Sequence, residues 1–327
     1  MPSTDLELLT VGRISIDLYC DQLGADWHAA RTFHKAVGGS PTNVAIAAAR
    51  LGRRAAVVTK VGDDPLGEVA LAELREFGVD LRYAAVEPGT VTPVAFALLD
   101  PPDDPQLWFR RDPPVPDFQI RGDEVDQNTI ATVPVLWIAA GALSQEPSRA
   151  TVQAMLEARR RREHTILDLD YRPSFWGSRE EASERIGAAV AHATVAVGNR
   201  EECEIAVGSG EPRVAVARLL ERGVQLAIVK LGGDGALLAT AHGEQLIEPP
   251  AIEVLCGLGA GDAFGGALCH GLLSGWQFER AVAFASASGG IVASRLLCSQ
   301  AMPLEHEVLE LLGKDLQNAG EVRIWNG

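Results

Sequence analysis

The sequence predicts an α/β protein with a doubly wound, mainly parallel sheet flanked by helices. Three observations carry that prediction. From Val133 onward, short apolar runs alternate with amphipathic helical stretches, the pattern of successive βα units. The polar stretches Asp168–Arg172, Asn199–Glu202 and Lys230–Gly235 each follow such an apolar run, where parallel strands end and ligands bind. A glycine-rich run, Gly257 to Gly266, then opens a long stretch of helix formers.

Taken in order, Leu8 to Val11 reads as a strand ending at Gly12. Ile14, Ile16 and Leu18 then alternate with Ser15 and Asp17, which places Asp17 on the polar face of a strand. Gly38-Gly39 precedes an alanine-rich helix from Val44 to Leu51, and Asn43 lies in its first turns. Paired glycines there let backbone approach a ligand, and Asn43 offers both a donor and an acceptor. Ala56 to Val61 predicts a buried strand, Glu68 to Phe77 a helix, and Val94 to Leu99 another strand. Residues 101–117 are rich in proline and enclose an extended island, Gln106 to Arg111, whose two arginines form either a solvated face or an anion clamp.

Strands are then expected at Val135–Ala139, Thr165–Leu169, Val195–Val197 and Leu226–Lys230. The helices between them span Ser148–Arg162 (Ser148 as cap), Glu180–His192, Arg200–Val207 and Val214–Arg222. The basic run Arg159–Arg162 reads as a solvated helix end. Ile252 to Leu255 reads as a strand before the glycine turn, and helices follow through Leu273, over Phe278–Arg295 and over Leu304–Leu312.

The glycine turn bears the chemistry. Free backbone N–H groups at a helix start, reinforced by about half a positive charge from the macrodipole, bind anions. Asp262, in the first turn, places a carboxylate beside that anion site. Phosphoryl transfer needs both, donors for the oxygens and a base for the attacking hydroxyl. Taken alone the turn is ambiguous, because Asp also favours helix starts.

Composition narrows the setting. The 327 residues, 47% apolar and 22% charged, suit a soluble globular protein. A net charge of −15 argues against general affinity for nucleic acid or anionic membrane. The five cysteines are scattered and form no Cys-x-x-Cys pair, a pattern expected of a reducing compartment rather than a disulfide frame or zinc. Met1 to Glu7 shows neither a basic region nor a long apolar run. A cytoplasmic protein is expected.

Gly38-Gly39-x-x-x-Asn43, Asn199-x-x-Glu202 and Gly259-Ala260-Gly261-Asp262-Ala263-Phe264 occur in this order across the chain. In combination they resemble the PfkB (ribokinase-like) family of carbohydrate kinases. The resemblance implies one kinase domain over residues 1–327, with a small β-sheet lid from about 13–37 and 91–111. It implies ATP and Mg²⁺ as cofactors. It makes Asp262 the base, and the backbone of Gly259, Ala260 and Gly261 the anion hole. Asn199 and Glu202 become the pair that organises Mg²⁺, partly through water. Lys230, Gly232 and Gly235 fall beside the nucleotide, and Asp17, Gly38, Gly39 and Asn43 contact the sugar. Exposed lid strands could join two copies. Many members carry Asp-Thr before the glycine turn, linked to a monovalent cation. Cys256-Gly257 stands there in this chain, so a potassium requirement stays open.

A sugar acid calls for guanidinium groups, which grip a carboxylate with two hydrogen bonds. Arg110 and Arg172 are the candidates. The runs Asp168–Trp176, Cys256–Leu268 and Ile291–Pro303 are similar to those of family members that phosphorylate dehydro-deoxygluconates. A fructose- or ribose-type kinase, and a non-catalytic sugar-responsive regulator, remain as alternatives.

Overall fold

The computed structural model describes residues 6–102 and 105–318. The first strand, β1 (Leu8–Val11), is wholly buried. The chain leaves it for two antiparallel strands, β2 (Ser15–Cys20) and β3 (Phe33–Gly38), and returns through helix α1 (Ser40–Arg50) to β4 (Ala55–Gly62). Helix α2 (Pro65–Glu76) leads to the short strand β5 (Ala84–Glu87), followed by β6 (Val94–Leu98) and β7 (Gln106–Arg110). After α3 (Gln127–Thr132) come β8 (Val135–Ala139), α4 (Ser148–Arg159), β9 (Thr165–Asp168) and α5 (Arg179–Val190). The alternation continues through β10 (Val195–Asn199), α6 (Arg200–Val207), α7 (Pro212–Glu221) and β11 (Leu226–Lys230). A hairpin, β12 (Ala236–Thr240) and β13 (Gly243–Ile247), precedes the helices α8 (Ala260–Leu273), α9 (Phe278–Ala293) and α10 (Glu305–Asn318).

The main sheet has nine strands in the order β13-β12-β11-β10-β9-β8-β1-β4-β5. Its pairs are parallel except for the hairpin added at β11. Parallel strands with both faces covered read as continuous apolar runs, and β4 is buried at every position. Alternate residues feed two cores. Leu9, Val11, Ile138 and Leu167 pack with α3 to α7, whereas Leu8, Val57, Trp137 and Ile228 pack with α1, α2 and α8 to α10. Burying each such side chain contributes about 1.5–3 kcal/mol. Strand order reverses at β1, which pairs with β4 on one side and β8 on the other. Beyond the carboxyl ends of the strands at such a reversal a crevice opens.

The second sheet, β3-β2-β6-β7, stands over that crevice. Its other face carries the aromatic set Phe33, Phe96 and Trp108, with Phe96 and Trp108 centroids 5.4 Å apart. Trp108 and the nearby Trp27 are about half exposed.

Several local expectations are corrected. Ile252 to Leu255 is not a strand: the amides of Leu255 and Cys256 donate to the Ala293 carbonyl at 2.8 and 3.0 Å, so the segment lies along the end of α9. Helix α4 stops at Arg159, because Arg160 and Arg161 take positive φ angles of 51° and 55°. Arg159 is 2% exposed instead of solvated. Its guanidinium donates to Thr165 Oγ1 and to the carbonyls of Ile130, Pro134, Glu163 and His164. Burial lowers its pKa to about 10. Ser148 does not cap α4; Pro147 occupies the cap position and the Ser148 hydroxyl is buried without a partner among the described residues.

Candidate active site

The crevice is a cleft of about 400 Å³. Asp168, Asn199 and Lys230 are the last residues of β9, β10 and β11, and register places them side by side: Val197 opposite Asp168, Asn199 opposite Lys230. All three line the cleft. Lys230 Nζ lies 4.0 Å from both Asp168 Oδ1 and Glu202 Oε2. Burial alone would lower the Lys230 pKa; Glu202, Asp168, Asp262 and Asp170 outweigh it and hold the pKa above its ordinary value.

Helix α8 aims its N-terminus at the same space. Gly259 takes φ 80°, and a Cβ there would stand 2.4 Å from Cys298 Sγ, so only glycine makes this turn. The first bond inside the helix runs from the Ala263 amide to the Gly259 carbonyl. The amides of Ala260, Gly261 and Asp262 are therefore left over at the helix start. A Cβ on Gly261 would lie 3.3 Å from Lys230 Nζ, which places the ammonium at the same helix end.

Asp262 Oδ2 accepts a hydrogen bond from Asn43 Nδ2 at 2.8 Å. The two helices meet closely because α8 carries Gly265 and Gly266: a Cβ on Gly266 would come within 2.4 Å of Ala47 Cβ. Burial raises the Asp262 pKa, opposed by the bonds from Asn43 and Ser40. Asn43 Oδ1 is buried and without a partner among the described residues.

Asp17 enters from the middle of β2. Its carboxylate accepts from Ser15 Oγ at 2.6 Å and from the Tyr19 hydroxyl at 3.5 Å. Burial raises its pKa to about 6. Gly38 makes room for it, since a Cβ there would sit 1.9 Å from Asp17 Oδ2. Gly39, at φ 98°, passes so near the first strand that a Cβ would meet the Arg13 carbonyl at 2.4 Å.

Asn199 and Glu202 form a reciprocal capping box for α6. The Glu202 amide donates to Asn199 Oδ1 at 2.9 Å, and the Asn199 amide donates to Glu202 Oε2 at 2.7 Å. Among the described residues no three carboxylate, histidine or cysteine ligands converge as a metal cluster. Asp168, beside Glu202, has its pKa raised to about 7 by burial, against the pull of Lys230.

The expected residues do not all reach the cleft. Arg110 does not: strand alternation turns Leu107 and Phe109 inward, and Arg110 outward, 64% exposed and bonded to Asp112. Arg111 is buried between Asp117 and the rings of Phe118 and Phe175. Gly235 lies outside the lining as well; its φ of 91° serves the turn into β12, where a Cβ would strike the Ile247 carbonyl at 2.1 Å. Gly38 and Ala260 stand behind the lining, and Gly232 lines it. Arg172 lines it, with Nη2 3.6 Å from Asp170 Oδ1. Sequence reasoning missed Arg13, Ser40, Tyr19 and Cys298, all of which line the cleft. Arg13 carried a signal, since it follows the first predicted strand as Asp170 follows a later one. Cys298 carried none.

Comparison with known proteins agrees with this fold. The model of the "pfkB family carbohydrate kinase" group matches residues 5–305. The 5-dehydro-2-deoxygluconokinase of Geobacillus thermodenitrificans is 31% identical over 315 residues, covering 94% of this chain and 93% of its own. A Bacillus cereus relative named 5-dehydro-2-deoxygluconokinase 2 is 32% identical over 314 residues, 93% of each chain. Among solved structures, a ribokinase-II-type protein from E. coli in complex with ATP and Mg²⁺ superposes with a TM-score of 0.85 at 21% identity, over 94% of this chain and 99% of that one. The fructokinase of Xylella fastidiosa with bound ATP gives 0.83 at 21%, over 96% and 99%. The chain thus belongs to the pfkB family of carbohydrate kinases, phosphotransferases that act on a sugar hydroxyl.

Proposed function

We propose that this protein is an ATP-dependent, Mg²⁺-dependent kinase that phosphorylates the C6 hydroxyl of 5-dehydro-2-deoxygluconate, a step of inositol breakdown, in the cytoplasm. The observation that carries the chemistry is the Asp262 carboxylate, bonded to Asn43 beside the free amides of α8. The names of the relatives, and Arg172 in the cleft, favour the sugar acid.

Asp262 takes the hydroxyl proton as the oxygen attacks the γ-phosphorus of ATP, and ADP leaves. The backbone of Gly259, Ala260 and Gly261 receives the charge growing on the phosphoryl oxygens. Asp17, with Gly38 and Gly39 giving it space, and Asn43 orient the sugar. Lys230 and Gly232 stand at the nucleotide side, and Gly235 shapes their turn. The donor set there, Glu202 with Asn199 and Asp168, is hard oxygen that suits Mg²⁺. Each Asn199–Glu202 contact in the capping box already uses one oxygen, which favours a cation held through water and phosphate. Bound Mg²⁺ would neutralise phosphate charge. The four-stranded sheet acts as a lid over the sugar, and its outer aromatic face joins two copies into a homodimer.

The test is coupled ADP release with ATP and Mg²⁺ on four substrates: 5-dehydro-2-deoxygluconate, 2-dehydro-3-deoxygluconate, fructose and ribose. A kcat/KM preference for the first by orders of magnitude is expected. Preference for another would keep the kinase chemistry and remove the substrate assignment. Sugar binding with no turnover on any would instead favour a regulator.

A further inference from the structure

We propose that Arg13 and Arg172, both held on Asp170, form the subsite for the substrate carboxylate, with Arg13 as the arm that Arg110 does not supply. This rests on the sugar-acid reading and assigns its recognition to named groups.

Arg13 lies at the strand-order reversal, directly beyond β1, with Asp170 beyond β9 and Gly141 beyond β8. Its Nη2 donates to Asp170 Oδ2 at 2.6 Å, and both side chains are about 5% exposed or less. Arg172 approaches the other oxygen of the same carboxylate at 3.6 Å. Two guanidiniums share one carboxylate, and all three residues line the cleft, Arg13 and Asp170 buried and Arg172 38% exposed. Burial would raise the Asp170 pKa, but Arg13 and Arg172 outweigh it and keep the bridging carboxylate ionised.

Arg13 also has unused donors. Its Nε is buried without a partner, and only Nη2 bonds to protein among the described residues. Its position is fixed from several sides. Thr42 Oγ1 donates to its carbonyl at 2.8 Å, and the next amide, Ile14, donates to Asp117 at 3.1 Å. Its guanidinium carbon stands 4.9 Å from the centre of the Phe175 ring. Gly141 packs beside the ion pair, where a Cβ would lie in ordinary contact, 3.4 Å from Nε and 3.5 Å from Asp170 Oδ2. A guanidinium fixed in this way loses little freedom when it receives a ligand. Arg110, exposed and on the wrong strand face, is held only by the exposed Asp112 and by no ring.

The experiment compares 5-dehydro-2-deoxygluconate with its C1 carboxamide, which keeps the shape and removes the charge. Arg13→Met should lower kcat/KM for the acid about 10²–10³-fold, mainly through KM, and bring the acid-to-amide preference close to one. Arg13→Lys keeps the charge and the pairing with Asp170, so it guards against misfolding; it should raise KM for the acid about tenfold. Asp170 is a positioning residue: Asp170→Asn should raise KM for the acid with kcat changed little, a split that loss of folded enzyme would not produce. Arg110→Ala should keep the wild-type preference. If wild type prefers the acid and folded Arg13→Met or Arg13→Lys keeps that preference undiminished, or loses both substrates equally, the subsite is wrong and the sugar-acid reading stands. If wild type shows no preference for acid over amide, the sugar-acid reading itself has failed.

Discussion

The two sheets supply the cleft in different ways. The nine-stranded sheet is buried on both faces and gives the site residues from strand ends: Asp168, Asn199 and Lys230. The four-stranded sheet has one face on the cleft and one face outward, and gives residues from mid-strand: Asp17 and Tyr19 of β2, Leu107 and Phe109 of β7. A strand-end residue is placed by the whole scaffold. A mid-strand residue is placed by its parity, and one step along the chain exchanges Phe109 for Arg110. On the proposed function, the chemistry stands on the larger sheet and on α8, and selection of the sugar is shared with the smaller sheet. Substitutions at the two should fail differently.

The largest effect belongs to Asp262. Asp262→Asn keeps the shape and can still accept from Asn43 Nδ2, but it removes the base. We expect kcat to fall by about 10²–10⁴ with the melting temperature unchanged or slightly higher. Burial raises the Asp262 pKa, and protonation removes the base, so wild-type kcat/KM should decline with falling pH at a point above the usual carboxylate range. The Asn43 bond holds that pKa down; Asn43→Val should move the decline to higher pH. A pH profile of both proteins checks the sign, and movement to lower pH would contradict it.

The difference between the sheets also explains what the sequence disclosed. Strand ends were readable because apolar runs stop there and polar ones begin, so Asp168, Asn199 and Lys230 stood out. The turn at Gly259 was readable because a helix start needs special backbone. Arg110 misled, since a short island between prolines shows no period from which to decide its inner face. Arg159 misled because its partners are carbonyls, which leave no mark in a sequence. The strands β5 and β13 were overlooked for a related reason: they are the edges of the large sheet, and their exposed positions dilute the apolar pattern.

Two smaller effects sharpen the contrast. Gly266→Ala tests the contact between α8 and α1 that brings Asn43 to Asp262. Alanine gains about 1 kcal/mol in helix propensity, but its Cβ would stand 2.4 Å from Ala47 Cβ and 2.8 Å from the Ala48 amide. A net loss of about 1–3 kcal/mol in urea unfolding is expected, with reduced kcat. Net stabilisation would show that the helices part without cost. Asp17→Asn tests a partly buried carboxylate in the thinner sheet. Because burial raises its folded pKa to about 6, the folded state binds the proton more tightly than the unfolded state does. Native stability thus declines as pH rises from about 4 to about 6 and stays reduced above. Asp17→Asn should have little effect on stability at pH 4, and should stabilise by about 1–3 kcal/mol at pH 8 while weakening sugar binding. Destabilisation at pH 8 would show that the bonds from Ser15 and Tyr19 outweigh burial.

The smallest effect on chemistry is expected at the outer face of the four-stranded sheet. Trp108 is 53% exposed there and Trp27 46%, and Trp108 packs on Phe96. Both edge strands, β3 and β7, also present backbone groups that pair with no further strand of this sheet. If two copies cover this face, Trp108→Glu should convert a dimer to a monomer in sedimentation at micromolar concentration. The fold itself should lose about 0.5–1.5 kcal/mol, because the half-buried ring gives up its contact with Phe96. Turnover should change only a few-fold, since Asp262 belongs to α8 and the strand-end residues to the other sheet. A wild-type protein already monomeric under those conditions would remove the dimer. A dimer that survives Trp108→Glu would move the interface elsewhere. A large loss of kcat in a folded monomer would mean that the partner copy holds the thin sheet in its working position, so the chemistry depends on both sheets after all.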